Sequence, residues 1–91
     1  IATMAEAYFV PISPHNAMGP LQVVAGAHVM MTVPNFYRLE HSTAAIPTYN
    51  LMLAEPIHFH GGEVSVSGKA GLGVELNLEA IQAHLHPQSP R

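Results

Sequence analysis

The sequence predicts an α/β fold organised around parallel strands, and three observations predict it. A short apolar stretch, residues 10–13, stops at Pro14, as a buried strand would. An apolar run at residues 21–32 is long enough for a helix and opens with Pro20. A second short strand, residues 36–40, follows a Pro34-Asn35 break. With the end of a helix at residues 1–9, the order is helix, strand, loop, helix, strand. Such alternation sets the strands parallel, because each helical crossover carries the chain back to the end of the sheet where the previous strand began.

Each element has a local reason. In residues 1–9, Ile1, Met4, Ala5 and Tyr8 recur at helical spacing on one face. Pro11 and Pro14 then exclude helix, and Pro14 stands at the strand end, where a missing N–H costs least. His15, Asn16, Ala17, Met18 and Gly19 form a loop. Pro20 suits the first turn of a helix, where its absent N–H would have no partner anyway. Residues 21–32 are apolar almost all round, the mark of a buried helix. Residues 41–55 read as irregular with a helical turn. Residues 56–67 alternate through Ile57, Phe59, Val64 and Val66 about Gly61-Gly62, a hairpin signal. Gly68, Gly71 and Gly73 mark turns, and residues 78–85 form a short final helix stopped by Pro87.

Composition narrows the function classes. Apolar residues make up 48% of the 91, but charged residues only 10%, against roughly 25% in an average soluble domain. A free-standing domain this small has much surface to solvate. The chain is therefore expected to be a piece of a larger protein that covers much of its surface. With three Lys plus Arg and a net charge of −3, it lacks the basic footprint of nucleic-acid binding. No cysteine is present, which removes disulfides and Cys-ligated zinc and fits a cytoplasmic protein. Residues 7–37 carry no Asp, Glu, Lys or Arg, yet prolines, His15, Asn16 and His28 break the run. A membrane-spanning helix needs about 20 predominantly apolar residues, so no span is expected.

Among polar residues, His15 and Glu40 come first. Each stands at the C-terminal end of an expected strand, one βα unit apart. In a βα barrel, that end of the strands carries the active site. The structural alternative is a turn-capping His15 and a solvated Glu40, and spacing alone leaves the two readings level. Asn16 and His41, their sequence neighbours, are candidates for the same pocket as substrate-binding residues. His58 and His60 share a strand face and, with Glu63, resemble a cupin-type metal set whose spacing fits poorly, so a polar hairpin face is the favoured reading. His84 and His86 suit a helix C-terminus. His28 is expected to be a hydrogen-bonded core residue. Met18, Met30 and Met31 read as core filling.

Taken together these segments resemble a known family. Ser13-Pro14-His15-Asn16-Ala17-Met18-Gly19-Pro20 is similar to the segment around the catalytic histidine in the mandelate racemase subgroup of the enolase superfamily, with galactonate-type dehydratases nearest. Pro34-Asn35-Phe36 and Leu39-Glu40 resemble the family's last barrel strand. Ala70-Gly71-Leu72-Gly73-Val74-Glu75 resembles its C-terminal signature, and Met4-Ala5-Glu6-Ala7-Tyr8 the helix before the histidine strand. Ala17 and Ala70 stand where the family commonly has proline, which puts loop shape and subfamily in question.

The resemblance implies a fold, a site and a reaction. Residues 1–55 would supply the last two strand–helix units of a modified TIM (βα) barrel. Residues 56–91 would supply a hairpin and helix packing on a capping domain. The activity would be a Mg²⁺-dependent dehydratase of aldonic or aldaric acids. It would remove the proton next to the carboxylate and eliminate water to give a 2-keto-3-deoxy acid. His15 would act as acid, base or both, and Glu40 would hydrogen-bond the substrate carboxylate. The Mg²⁺ ligands would lie on earlier strands, in keeping with the absence of Asp here. The expected partners are a small sugar acid, the remainder of the same enzyme and further copies in a homo-oligomer. A racemase or cycloisomerase would use the same machinery. The competing class is a small metal-binding β module on residues 56–75.

Overall fold

The computed structural model describes residues 1–88; residues 89–91, the end of the expected 56–91 segment, lie outside them. Helix α1 spans Ala2–Glu6, shorter than expected. The chain leaves it through Phe9 N–H to Glu6 O and Val10 N–H to Ala5 O, both 2.9 Å. This is a Schellman-type exit, whose left-handed residue is usually glycine. Here Phe9 holds it at φ +57. Asn35 braces the exit, its Nδ2 donating to Ala2 O and Val10 O.

Of the two expected strands the structure keeps one isolated parallel bridge, Ile12 with Phe36, between otherwise irregular extended segments. Ile12 N–H donates to Asn35 O at 2.8 Å and Tyr37 N–H to Ile12 O at 2.9 Å. A regular parallel ladder would next bring Leu39 N–H to Pro14 O. The bond found is Glu40 N–H to Pro14 O at 3.3 Å. The ladder slips by one residue because Pro14 has no N–H to hold the intervening rung. The slip sets Glu40, rather than Leu39, level with Pro14 and beside His15.

Helix α2 spans Pro20–Met30 and crosses between the two strands with Pro20 in its first turn. Val23, Val24, Ala27 and Met30 are buried, but Leu21 and Val29 are exposed. The expectation of burial all round is corrected, because this chain covers only one side of the helix. A 3₁₀ turn at Thr43–Ala45 leads into helix α3, Ile46–Leu51, so the supposedly irregular stretch holds more helix than expected. Its Pro47 is accommodated in the first turn.

The hairpin forms as strands β1, Phe59–His60, and β2, Glu63–Val64, paired antiparallel with Phe59 opposite Val64. Gly61 and Gly62 have φ of +59 and +83, the two left-handed residues of a type I′ turn. The strands are shorter than the alternation implied. A further pairing, not expected, joins Leu53 with Leu76 and is closed by Ala54 N–H to Glu75 O and Asn77 N–H to Met52 O, both 2.9 Å. Helix α4, Leu78–Ala83, starts there, capped by the Asn77 side chain accepting from Ala80 N–H. No helix among the described residues is long and apolar enough to cross a membrane.

The core gathers Val24 of α2 with Leu53 and Ile57, and Phe59, Val64, Val66 and Val74 pack around it. Leu53 is 3% exposed. Leu53→Ala is expected to cost about 2–5 kcal/mol in denaturant-midpoint measurements on the intact protein, from lost burial plus the cavity left behind. By contrast Ile1, Phe9 and Met18 are 98%, 95% and 86% exposed. So much bare apolar surface is unusual for a monomer and agrees with a piece that other polypeptide covers. Lys69 pairs with Glu55 at 2.8 Å. The hydrogen bond, then the charge, lowers the Glu55 carboxyl and raises the Lys69 amine from their ordinary values. Both groups are in water, so the pair contributes little to stability.

Candidate active site

The parallel strands end side by side, and their last polar residues meet. His15 Nδ1 lies 2.6 Å from Glu40 Oε2, across the ends of two strands joined only through α2. The side chains are 74% and 56% exposed, so the pair faces open space. The bond engages one imidazole nitrogen and one carboxyl oxygen. His15 Nε2 and Glu40 Oε1 remain free to meet a ligand. A carboxylate holding one ring nitrogen fixes the ring's orientation and favours the proton on that nitrogen. The free nitrogen can then take up a proton.

The neighbouring candidates are not brought to this pair. Asn16 is buried at 3% exposure against α2, with its Nδ2 lacking a hydrogen-bond partner. The Asn16 amide is packed against Gly26 of α2, and a contact with substrate would need it to turn out of that packing. Residues adjacent along an extended chain point to opposite faces, and Asn16 takes the inner one. His41 is likewise turned from Glu40. Its ring stacks on Phe59 with centroids 4.7 Å apart. It lines a cleft of about 570 Å³ with Met30, Phe36, Tyr37, Glu63 and Val64, to which neither His15 nor Glu40 contributes. This cleft and the His15–Glu40 pair are thus separate.

Asn16 fits only because α2 has a glycine opposite it. A Cβ on Gly26 would lie 2.8 Å from Asn16 Nδ2 and 3.1 Å from Leu39 Cδ1. Gly26→Ala is expected to destabilise by about 1–3 kcal/mol through overpacking, less up to about 1 kcal/mol of gained helix propensity. A thermal melt of the intact protein checks this; an unchanged or raised Tm would show that Asn16 moves aside freely.

The other histidines have structural partners or none. His28 is half-buried and bonds the Leu72 carbonyl at 3.1 Å, tying α2 to the glycine-rich loop. This partly corrects its expected place in the core. His84 Nδ1 bonds Ala80 O at 2.7 Å at the end of α4. His58 and His60 are exposed, and His60 stands opposite Glu63 in the hairpin. Among the described residues, no three His, Cys, Asp or Glu side chains come together to hold a metal ion. The metal-binding β module therefore has no geometric support. Two donors at His15 and Glu40 do not make a magnesium site either, so these residues alone do not fit the metal the resemblance implies.

One residue escaped the sequence reading. Gln22 donates from Nε2 to His15 O at 3.0 Å and accepts from Met18 N–H at 2.7 Å. A glutamine in an apolar helix, seven residues after the candidate histidine, was the available signal.

Comparison with known proteins places the chain. The family described as enolase C-terminal domain-like matches residues 1–81. A D-xylonate dehydratase of Haloferax volcanii is 31% identical over 85 residues, covering 93% of this chain and 21% of the relative. A D-galactonate dehydratase of Xanthomonas campestris pv. campestris (strain B100) is 33% identical over 90 residues, covering 90% and 23%. This chain thus spans about a fifth of the length of the curated relatives it matches. A mandelate racemase/muconate lactonizing enzyme-like protein from Rubrobacter xylanophilus superposes with a TM-score of 0.87 at 34% identity, over 99% of this chain and 23% of that one. A proposed L-alanine-DL-glutamate epimerase from Burkholderia xenovorans, solved with magnesium and fumarate, gives 0.77 at 27%, over 91% and 21%. Matched along nearly its whole length in sequence and in fold, the chain belongs to the enolase C-terminal domain-like family.

Proposed function

We propose that this chain supplies the acid–base pair of a sugar-acid dehydratase of the enolase superfamily. The observation that carries the reading is the 2.6 Å contact of His15 Nδ1 with Glu40 Oε2 at the ends of adjacent parallel strands. Relatives named D-xylonate and D-galactonate dehydratases supply the substrate class. In this proposal residues 1–55 complete the barrel, and residues 56–91 close it against a capping domain elsewhere in a longer, cytoplasmic, self-associating enzyme. Magnesium, present in a related structure, belongs to residues outside this chain.

The free Nε2 of His15 takes the proton from the carbon next to the substrate carboxylate. The C–H electron pair moves into the enediolate. The protonated ring then gives its proton to the 3-hydroxyl, which leaves as water, and the enol tautomerises to the 2-keto-3-deoxy acid. An imidazole suits both transfers, since its ordinary titration range is near neutral. Glu40, ionised, steadies the positive ring through Oε2. A hydrogen bond from Glu40 to the substrate carboxylate requires the protonated acid, so in this reading its role is on His15.

The test is turnover of a panel of aldonic and aldaric acids by the intact protein with Mg²⁺, scored as 2-keto-3-deoxy product. One acid that loses water supports the reading. An acid that is racemised without loss of water keeps the pair and changes the reaction, as the epimerase relative would suggest. No change in any acid overturns the proposal.

A further inference from the structure

We propose that Gln22 is a positioning residue for His15, its carboxamide closing the catalytic loop into a fixed ring. The kinetic consequence rests on the proposed dehydratase reading; the positional one does not. The imidazole is 74% exposed, and Glu40 is its one polar partner among the described residues. No backbone–backbone hydrogen bond among those residues involves positions 15–18. The main-chain groups of this stretch are tied instead by the Gln22 side chain, in the first turn of α2, bonding His15 O and Met18 N–H at once.

The chemistry of the clamp is specific. A main-chain carbonyl can only accept and a main-chain N–H can only donate, so the two partners fix which end of the amide faces which. Bridging them with one planar group does the work of the missing turn bond. A carboxylate offers no donor to the His15 carbonyl, and an alkyl chain offers neither bond. Gln22 is anchored in a helix whose next residues, Val23 and Val24, are 0% and 2% exposed. The helix core thus sets where the loop, and with it the His15 ring, stands relative to Glu40. Burial of Asn16 under Gly26 holds the same loop from the other side.

Displacing a reacting group by about 1 Å can cost on the order of 10²-fold in rate. Gln22→Leu is therefore expected to lower kcat by about 10–100-fold while KM stays within about threefold. The independent readout is the His15 ring ¹⁵N signal of the intact, histidine-labelled protein, assigned by its loss in His15→Asn. Glu40→Gln should shift that signal in the otherwise unaltered protein. The same change made together with Gln22→Leu should shift it by about a third as much or less, a direct measure of coupling. Gln22→Glu keeps the Met18 bond, loses the His15 bond and should behave likewise, which covers a poorly folded Leu variant. An undiminished shift with both Gln22 variants overturns the proposal. If no sugar acid is turned over, the dehydratase reading fails, and the ring signal still decides the role of Gln22.

Discussion

His15→Asn in the intact protein is expected to lower kcat/KM for the dehydrated acid by about 10²–10⁴-fold, the usual contribution of a positioned acid or base. The expectation follows from geometry. The ring stands at a strand end, has Nδ1 taken by Glu40 at 2.6 Å, and has Nε2 open. Asparagine keeps a polar side chain of similar reach and cannot carry a proton through the cycle. The change should not disturb the fold, because the His15 side chain is 74% exposed and leaves no cavity. Steady-state kinetics together with a thermal melt check it. An unchanged Tm with activity lost assigns proton transfer to His15; activity equal to the unaltered protein removes it from the mechanism.

Glu40→Gln is expected to lower kcat by about 10²–10³-fold, as when a charge-stabilising group is removed from a preorganised site. The shape is retained, so the loss is electrostatic. A neutral amide no longer balances the imidazolium that forms when Nε2 takes the proton. If the amide N–H turns toward Nδ1, the ring must carry its proton on Nε2 and can no longer act as a base. Carboxylate-to-amide changes in other histidine pairs show this tautomer effect. Comparison of kcat and KM separates the roles. A fall in kcat alone means that Glu40 acts on His15. A rise in KM with kcat held means that Oε1 serves binding and that the 2.6 Å contact is secondary.

The nearness of His15 and Glu40 was legible in the sequence, because prolines and the apolar run between them mark where each extended segment ends. Strand ends of this kind carry polar residues of the site. Asn16 and His41 became candidates through adjacency to His15 and Glu40, and their side chains lie elsewhere in this structure. Adjacency in sequence is not adjacency of side chains in extended backbone, where neighbours point to opposite faces. Asn16 went under Gly26 of α2, and His41 went onto Phe59. Gln22 was passed over because a helix that looked apolar all round gave no reason to ask what its single amide would hold.

By itself the sequence determined where α1, α2, the hairpin and α4 fall and in what order, but not the helix Ile46–Leu51. Pro11, Pro14, Pro20 and Pro34 exclude or start helices wherever they stand, and Gly61-Gly62 dictates a tight turn. These are local constraints on φ and on N–H donors, and they act before any long-range contact forms. The tertiary structure alone decided register and partners. The missing N–H of Pro14 shifts the ladder until Glu40 bonds it, α2 presents Gln22 to the loop, and Leu53 meets Leu76 far along the chain. Those outcomes depend on which surfaces pack together, and the packing of Val24 against Leu53 and Ile57 cannot be read from any one segment.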